Sequence, residues 1–352
     1  MGKMAIGLCV LAALCFSEPA MQAASDAAEV FARGVLPALF PMLVLGGLLN
    51  QPQKAEHSHL PRTVLEAIGF SFAAGSPASA QRVRRLADAG RLPPALLAPL
   101  LCATGVMSPM FFVGTLASWT GLHAAAWTML GAHWASALLS AALWALCAKG
   151  AKRAAKQPIA SPAAPRLDPS CRQASLLTLL PGAVTSAAQA LLSVCGAMML
   201  FSIVAAVLRA MLGAAFPAWT RASEPVLAVA WGLLEIGSGS AAVLRAFPTP
   251  PLALLCALCS FGGLSICLQN LLFIGELIHP MRLLAMRLTH AAIAYALCTA
   301  LLTLLPSLAQ AFASVSFAAS TSTAAALPPI AVAFLWLLAA LGSTVEHRPS
   351  PQ

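Results

Sequence analysis

Apolar residues run in long blocks along this chain, separated by short clusters of glycine, proline and small hydroxyl residues. The blocks cover residues 4–17, 34–49, 95–118, 122–148, 191–212, 251–275, 288–306 and 327–342. Most approach or exceed the roughly 20 apolar residues that a helix needs to cross the bilayer hydrocarbon. Two further apolar segments, 64–80 and 225–242, are interrupted by "AAGSPASA" and "EIGSGSAA". Non-helical backbone at membrane depth persists only where it is buried in protein or lines a cavity. The pattern therefore predicts an all-α polytopic membrane protein, with about eight transmembrane helices plus two re-entrant hairpins.

The interrupted segments come in pairs. "PPALLAPLLCATGVMS" (Pro93–Ser108) and "PPLALLCALCSFGGLS" (Pro250–Ser265) lie 157 positions apart and agree at seven of sixteen offsets. Each is predicted to start at its Pro-Pro, where the first-turn N–H has no intrahelical partner to lose. Each is then predicted to unwind, at "ATGVMSP" and "SFGGLSI". His133 and His290 are also 157 apart, on the long helices 122–148 and 288–306. Matched interruptions in two halves of a membrane protein point to a transport site between them.

Charge sets the expected orientation. Arg82, Arg84, Arg85 and Arg91 follow the first hairpin, whereas Arg245 alone follows the second. Helix 122–148 leads into a stretch with six Lys and Arg between Lys149 and Arg172, and helix 288–306 leads into the uncharged 307–326. Lys and Arg collect on the cytoplasmic side, so counterpart loops fall on opposite sides, as an inverted repeat requires. Threading the chain this way makes both termini cytoplasmic, together with Arg282 and Arg287.

The expected organisation follows from this threading. Residues 1–50 hold N-terminal membrane helices, 51–148 the first repeat and 149–172 a basic cytoplasmic linker. A connecting amphipathic and membrane helix occupies 173–224, the second repeat 225–306, and 307–352 an uncharged external loop, last membrane helix and tail. The N-terminus (Lys3, "MAIGLCVLAALCF", then "AMQA") also has the form of a secretory signal. The alternative, a first helix retained in the mature chain, fits the threading.

Composition agrees with this class. Of 352 residues, 60% are hydrophobic and 9% charged, with a mean hydropathy of +0.85. The net charge of +9 is accounted for by cytoplasmic loops, and no nucleic-acid partner is expected. Cysteines lie in apolar runs as small buried side chains, and the Cys256/Cys259 pair lacks the further ligands of a metal site. There is no phosphate-cradling loop, zinc-protease helix or nucleophile elbow. No catalytic residue, metal or cofactor is assigned and no enzyme activity is expected, although a coupling cation or proton stays open.

Candidate solute-binding residues come from the interruptions. They are Gly75, Ser76 and Ser79 at the first hairpin tip, and Thr104, Gly105 and Ser108 at the first break. The second half supplies Glu235, Gly237, Ser238 and Ser240, then Ser260, Gly262, Gly263, Ser265, Gln269 and Asn270. Glycines let backbone approach a ligand, and hydroxyls with freed N–H groups hold anions. Each small residue has the competing reading of helix packing. Glu235 is the sharpest candidate, because an ionisable group inside a membrane segment gates, binds a coupling ion, or caps a broken helix. Arg82 is the first candidate to attract an anion, and otherwise a solvated cytoplasmic arginine.

"FGGLSICLQ" (Phe261–Gln269), "GLLEIGSGS" (Gly232–Ser240) and "VLPALFPMLVLGGLL" (Val35–Leu49) together resemble the YlbJ/SpoVV sporulation integral membrane protein family over nearly the whole chain. More distantly, "LLCALCSFGGLSICLQ" with the helix after it resembles the transport core of concentrative nucleoside transporters, which share the nucleoside-recognition or Gate domain. The resemblance implies passage of dipicolinic acid across a bacterial cell membrane, the outer forespore membrane in a sporulating host. The alternatives are a structural or assembly membrane protein of the spore envelope and a nucleoside-type solute transporter. Expected partners are the lipid bilayer, a small-molecule solute and, by analogy with the nucleoside transporters, further copies of the chain as a homo-oligomer. The first hairpin departs from the family pattern, with Ser76 at the aromatic position and Gln81 at the lysine position.

Overall fold

A computed structural model describes residues 11–49, 60–152 and 176–304. All regular structure among them is helical. Most of the basic linker, the uncharged loop 307–326 and the helix expected at 327–342 lie outside the described residues. Four helices are long and apolar enough to cross a membrane: His123–Cys147, Thr178–Ala215, Leu252–Leu277 and Pro280–Leu304. Large apolar side chains such as Leu139, Leu146, Leu192, Leu272 and Leu288 stand exposed on them. This is a helical membrane protein, whose leucine-studded outer faces have lipid as their natural solvent.

Of the N-terminal segment that holds the expected membrane helices 4–17 and 34–49, residues 11–49 are described and are helical nearly throughout. Helix α1 (Ser17–Val30) runs through a π-helical turn (Phe31–Val35) straight into α2 (Leu36–Leu49). The polar stretch between the apolar runs, "SEPAMQAASDAAEV", is rich in alanine and helical. Pairs one turn apart support it, Gln22 with Asp26 and Arg33 with Glu29. The 40-residue helix α8 (Leu176–Ala215) packs along both α1 and α2. At 1.5 Å per residue α8 is about 60 Å long, twice the hydrocarbon thickness, so it crosses at a slant or stands proud of the bilayer. The expected crossing 191–212 is one part of this rod.

Both halves then repeat one order of elements. The first has α3 (Leu60–Ala74), a tip, α4 (Ala78–Asp88), α5 (Pro94–Thr104), a break, a π-helical turn (Phe111–Leu116) with α6 (Ala117–Thr120), and α7 (His123–Lys152). After the short α9 (Pro217–Ala222), the second has α10 (Glu224–Leu234), α11 (Ile236–Ala246), α12 (Leu252–Phe261), α13 (Gly263–Ile274) and α14 (Pro280–Leu304). The interrupted helices pack on their own long helices, α5 on α7 and α12 on α14, and the long helices pack on each other. The apolar interior between them holds Phe112, Met129, Leu130, Leu255 and Cys298, all shielded from solvent.

Two boundaries differ from the sequence reading, with consequences for the site. The first hairpin extends through Asp88, so the basic run "QRVRRLAD" is a helical arm and not a loop. Arg84 pairs there with Asp88 at 2.8 Å and donates to the Ile274 carbonyl of α13 at 2.9 Å. Helix α14 begins at Pro280 and not at 288, matching the start of α7 at His123. Arg282 and Arg287 therefore lie within this helix and not in a loop before it.

Candidate functional site

The two hairpin tips close directly onto the two breaks. Gly75 ends α3 at φ +73°, and its Cα faces the backbone of Ser108, so that any side chain there would meet the Ser108 amide. Ser76 donates its N–H to the Val106 carbonyl at 2.7 Å, tying tip to break. In the second half, Gly262 and Gly263 carry φ +83° and +74°. A Cβ on Gly263 would sit 3.2 Å from the Leu234 carbonyl and 3.3 Å from the Ile236 amide, at the tip between α10 and α11. Glycine is needed here for both its positive φ and its missing side chain.

Glu235 forms that second tip, in extended backbone at φ −139°. Its side chain is only 3% exposed in total residue area. One carboxylate oxygen accepts the Gly237 N–H at 2.9 Å, and the other accepts the N–H and hydroxyl of Ser238 at 2.6 and 2.8 Å. The carboxylate thus caps α11, meeting the positive end of the helix dipole and its free N–H groups. Of the roles open to it in the sequence, the structure places it in the cap.

Two histidines lock the breaks together. The His133 ring, fully buried, accepts the Met107 N–H through Nε2 at 2.9 Å. Its proton is therefore on Nδ1, which donates to Ser260 Oγ at 2.7 Å, and Ser260 donates in turn to the Cys256 carbonyl at 2.8 Å. One side chain so bridges the first break to the end of α12. His290 stacks on His133 with centroids 4.9 Å apart and donates Nε2–H to the His133 carbonyl at 3.0 Å.

Arg287 is the residue that sequence reasoning missed. Expected on the cytoplasmic side, it is 3% exposed and sits between the two breaks. Its Nη1 donates to the Gly105 carbonyl. A Cβ on Gly105 would lie 2.6 Å from Nη1, and one on Gly262 would lie 2.9 Å from Nη2. These two glycines are the paired break glycines of the repeat, and their bare Cα atoms make the slot for the guanidinium. The overlooked signal was the repeat itself: carrying the start of α7 forward by the repeat spacing begins α14 at Pro280, with Arg287 one turn from His290.

A pocket opens beside Arg287, lined by Ser76, Ser79, Gly105, Asn270 and His290 among others. It encloses about 10 Å³ of water-sized space, room for one water. Of the expected binding residues it gathers Ser76, Ser79, Thr104, Gly105 and Asn270, with Gly262 at its guanidinium. Gly75 and Ser108 meet just behind it. Glu235, Gly237, Ser238, Ser240, Gly263, Ser265 and Gln269 lie outside its lining, packed around the second tip and α13. Ser265 is buried, and its hydroxyl finds no hydrogen-bond partner among the described residues. Arg82 faces Glu66 at 3.8 Å and the Phe70 ring at 5.3 Å, away from this pocket.

The fold and site define a helical membrane protein built around two interrupted helix pairs, with a small pocket lined by the first hairpin tip, the first break, α13 and α14. No family model, curated protein or solved structure matches the chain.

Proposed function

We propose that this protein is a membrane transporter for a small anionic or polar solute; dipicolinic acid is the cargo that the YlbJ/SpoVV resemblance implies. The observation that carries this reading is Arg287, a buried cation set between the break glycines Gly105 and Gly262 and lining a small pocket. Burying that charge costs several kcal/mol, which favours a ligand-binding role for it over a purely structural one.

In this reading the halves form an inverted repeat, with α3–α4 and α10–α11 as re-entrant hairpins dipping from opposite faces. The stacking of His133 on His290 supports a two-fold axis, because equivalent residues of a two-fold pair meet at the axis. The pocket has room for one water as it stands, so in this reading cargo is admitted when a hairpin tip withdraws. A coupling cation or proton, a homo-oligomer and cytoplasmic termini belong to this proposal as well.

The test is uptake of labelled dipicolinate into vesicles holding the purified protein, with a nucleoside as competitor. Saturable uptake that is lost in Asn270→Leu, which fills the pocket lining, with the variant still folded, supports the reading. Uptake no greater than in empty vesicles refutes it, and a nucleoside that outcompetes dipicolinate reassigns the cargo.

A further inference from the structure

The pocket's charge and hydrogen-bond inventory point to a different cargo from the dipicolinate that the family resemblance implies; the following rests on the transport reading and not on that cargo. Arg287 spends one of its nitrogens, Nη1, on the Gly105 carbonyl. Its Nε and Nη2 are buried and have no hydrogen-bond partner among the described residues. The Cys267 thiol lies within hydrogen-bonding reach of the guanidinium and the Cys102 thiol lies near it, but thiol sulfur is only a weak acceptor. No carboxylate pairs with Arg287 among the described residues. A buried guanidinium left this way is strongly disfavoured unless something arrives to complete it.

The unspent edge has a shape. Nε–H and Nη2–H lie side by side along one edge of the guanidinium plane, a two-pronged donor that matches both oxygens of a carboxylate. A halide or a neutral amide uses that edge less well. The charge count is also specific. The position equivalent to Arg287 in the first half is Leu130, fully buried and apolar. Arg287 is accordingly the one cation among the residues lining the pocket. Two unspent acceptors join it there, Asn270 Oδ1 and His290 Nδ1. His290 Nδ1 is bare because Nε2 carries the proton given to the His133 carbonyl.

We infer that Arg287 is a substrate-binding residue that receives a single carboxylate, and that the preferred cargo is a small planar monoanion with a hydrogen-bond donor beside that carboxylate. The donor completes Asn270 or His290, while the carboxylate completes Arg287. A second carboxylate on the same molecule has no cation to meet.

The probe is pyrrole-2-carboxylate, whose ring N–H neighbours its carboxylate, measured by binding to purified protein in lipid nanodiscs. Pyrrole-2-carboxamide removes the charge, and dipicolinate, pyridine-2,6-dicarboxylate, adds a second one and sets the inferred cargo against the one the resemblance implies. Wild-type protein binds the carboxylate at least about tenfold more tightly than the carboxamide, and no less tightly than the dicarboxylate, given what a hydrogen bond to a charged group contributes. Arg287→Gln weakens the carboxylate about tenfold or more and leaves the carboxamide unchanged. Ligand-free Arg287→Gln melts no lower than wild type, because an uncompensated charge has been removed.

Should Arg287→Gln fail to fold, Arg287→Lys carries the test. It keeps the charge, loses the fork and binds the carboxylate more weakly than wild type. Equal binding of carboxylate and carboxamide, no binding of the carboxylate, tighter binding of the dicarboxylate, or wild-type affinity in these variants overturns the inference. Transport fails separately: saturable uptake that survives in Arg287→Gln vesicles refutes the Arg287 site alone, and binding without any uptake refutes transport alone.

Discussion

Replacing Glu235 by alanine separates a helix cap from an ion-handling carboxylate. Three donors converge on this buried side chain, the N–H groups of Gly237 and Ser238 and the Ser238 hydroxyl, at 2.6–2.9 Å. Losing an N-cap to alanine costs about 0.5–2 kcal/mol, and hydrogen bonds to a charged acceptor contribute about 1.5–3 kcal/mol. Burial places Glu235→Ala in the upper part of the combined range, about 2–4 kcal/mol of destabilisation. Aspartate and asparagine are themselves strong N-caps that reach the second and third N–H groups of a helix. Glu235→Asp and Glu235→Asn should therefore recover most of the loss. The assay is the melting temperature of purified protein by tryptophan fluorescence, with vesicle uptake measured on the same preparations. An alanine variant as stable as wild type, or an asparagine variant as unstable as alanine, refutes the cap.

The other predictions concern packing and the histidine bridge. A side chain on Gly239 would collide with the backbone of Gly232 across the second hairpin. Gly239→Ala should therefore lower stability by about 1–3 kcal/mol, as overpacking does. Gly69 has open space at its Cβ position in helix α3, and Gly69→Ala should be neutral or raise stability by up to about 1 kcal/mol; melting both variants checks the contrast. His133→Leu leaves the Met107 N–H without its acceptor and should cost about 1–3 kcal/mol. His133→Leu should also speed hydrogen exchange at Met107, which mass spectrometry of the 100–112 peptide reads, and unchanged exchange would show that His133 does not hold the break.

Much of the architecture was legible because interruption leaves a compositional mark. Gly75, Gly105, Glu235 and Gly262 are where apolar runs change to small or charged residues, and each one ends a helix. The repeat spacing was legible too, and it correctly paired His133 with His290. Continuity was not. The stretch "SEPAMQAASDAAEV" is polar and separates two apolar runs, yet its alanines and the one-turn pairs Gln22–Asp26 and Glu29–Arg33 favour continuous helix. The expected first hairpin likewise ended before Arg82, although "QRVRRLAD" sets its arginines and Asp88 at helical spacing. The positive-inside rule assigned Arg287 to a loop, since charge statistics carry no information about burial. Only the slot left by Gly105 and Gly262 marks it as interior. Glu235 was recognised as unusual, but the partner that decides its role is the helix start immediately after it, a local geometry that composition does not reveal.

The central claim is that two copies of one interrupted motif face each other upside down across the membrane. Cysteine labelling tests it most directly, using Ala89→Cys after α4 and Thr249→Cys after α11, both exposed positions at equivalent loops. In a background with the native cysteines removed, a membrane-impermeant maleimide added from one side should label one of the two and spare the other, with the pattern reversed from the opposite side. Labelling of both from the same side would contradict the inverted arrangement and, with it, the pocket's place between two opposed halves.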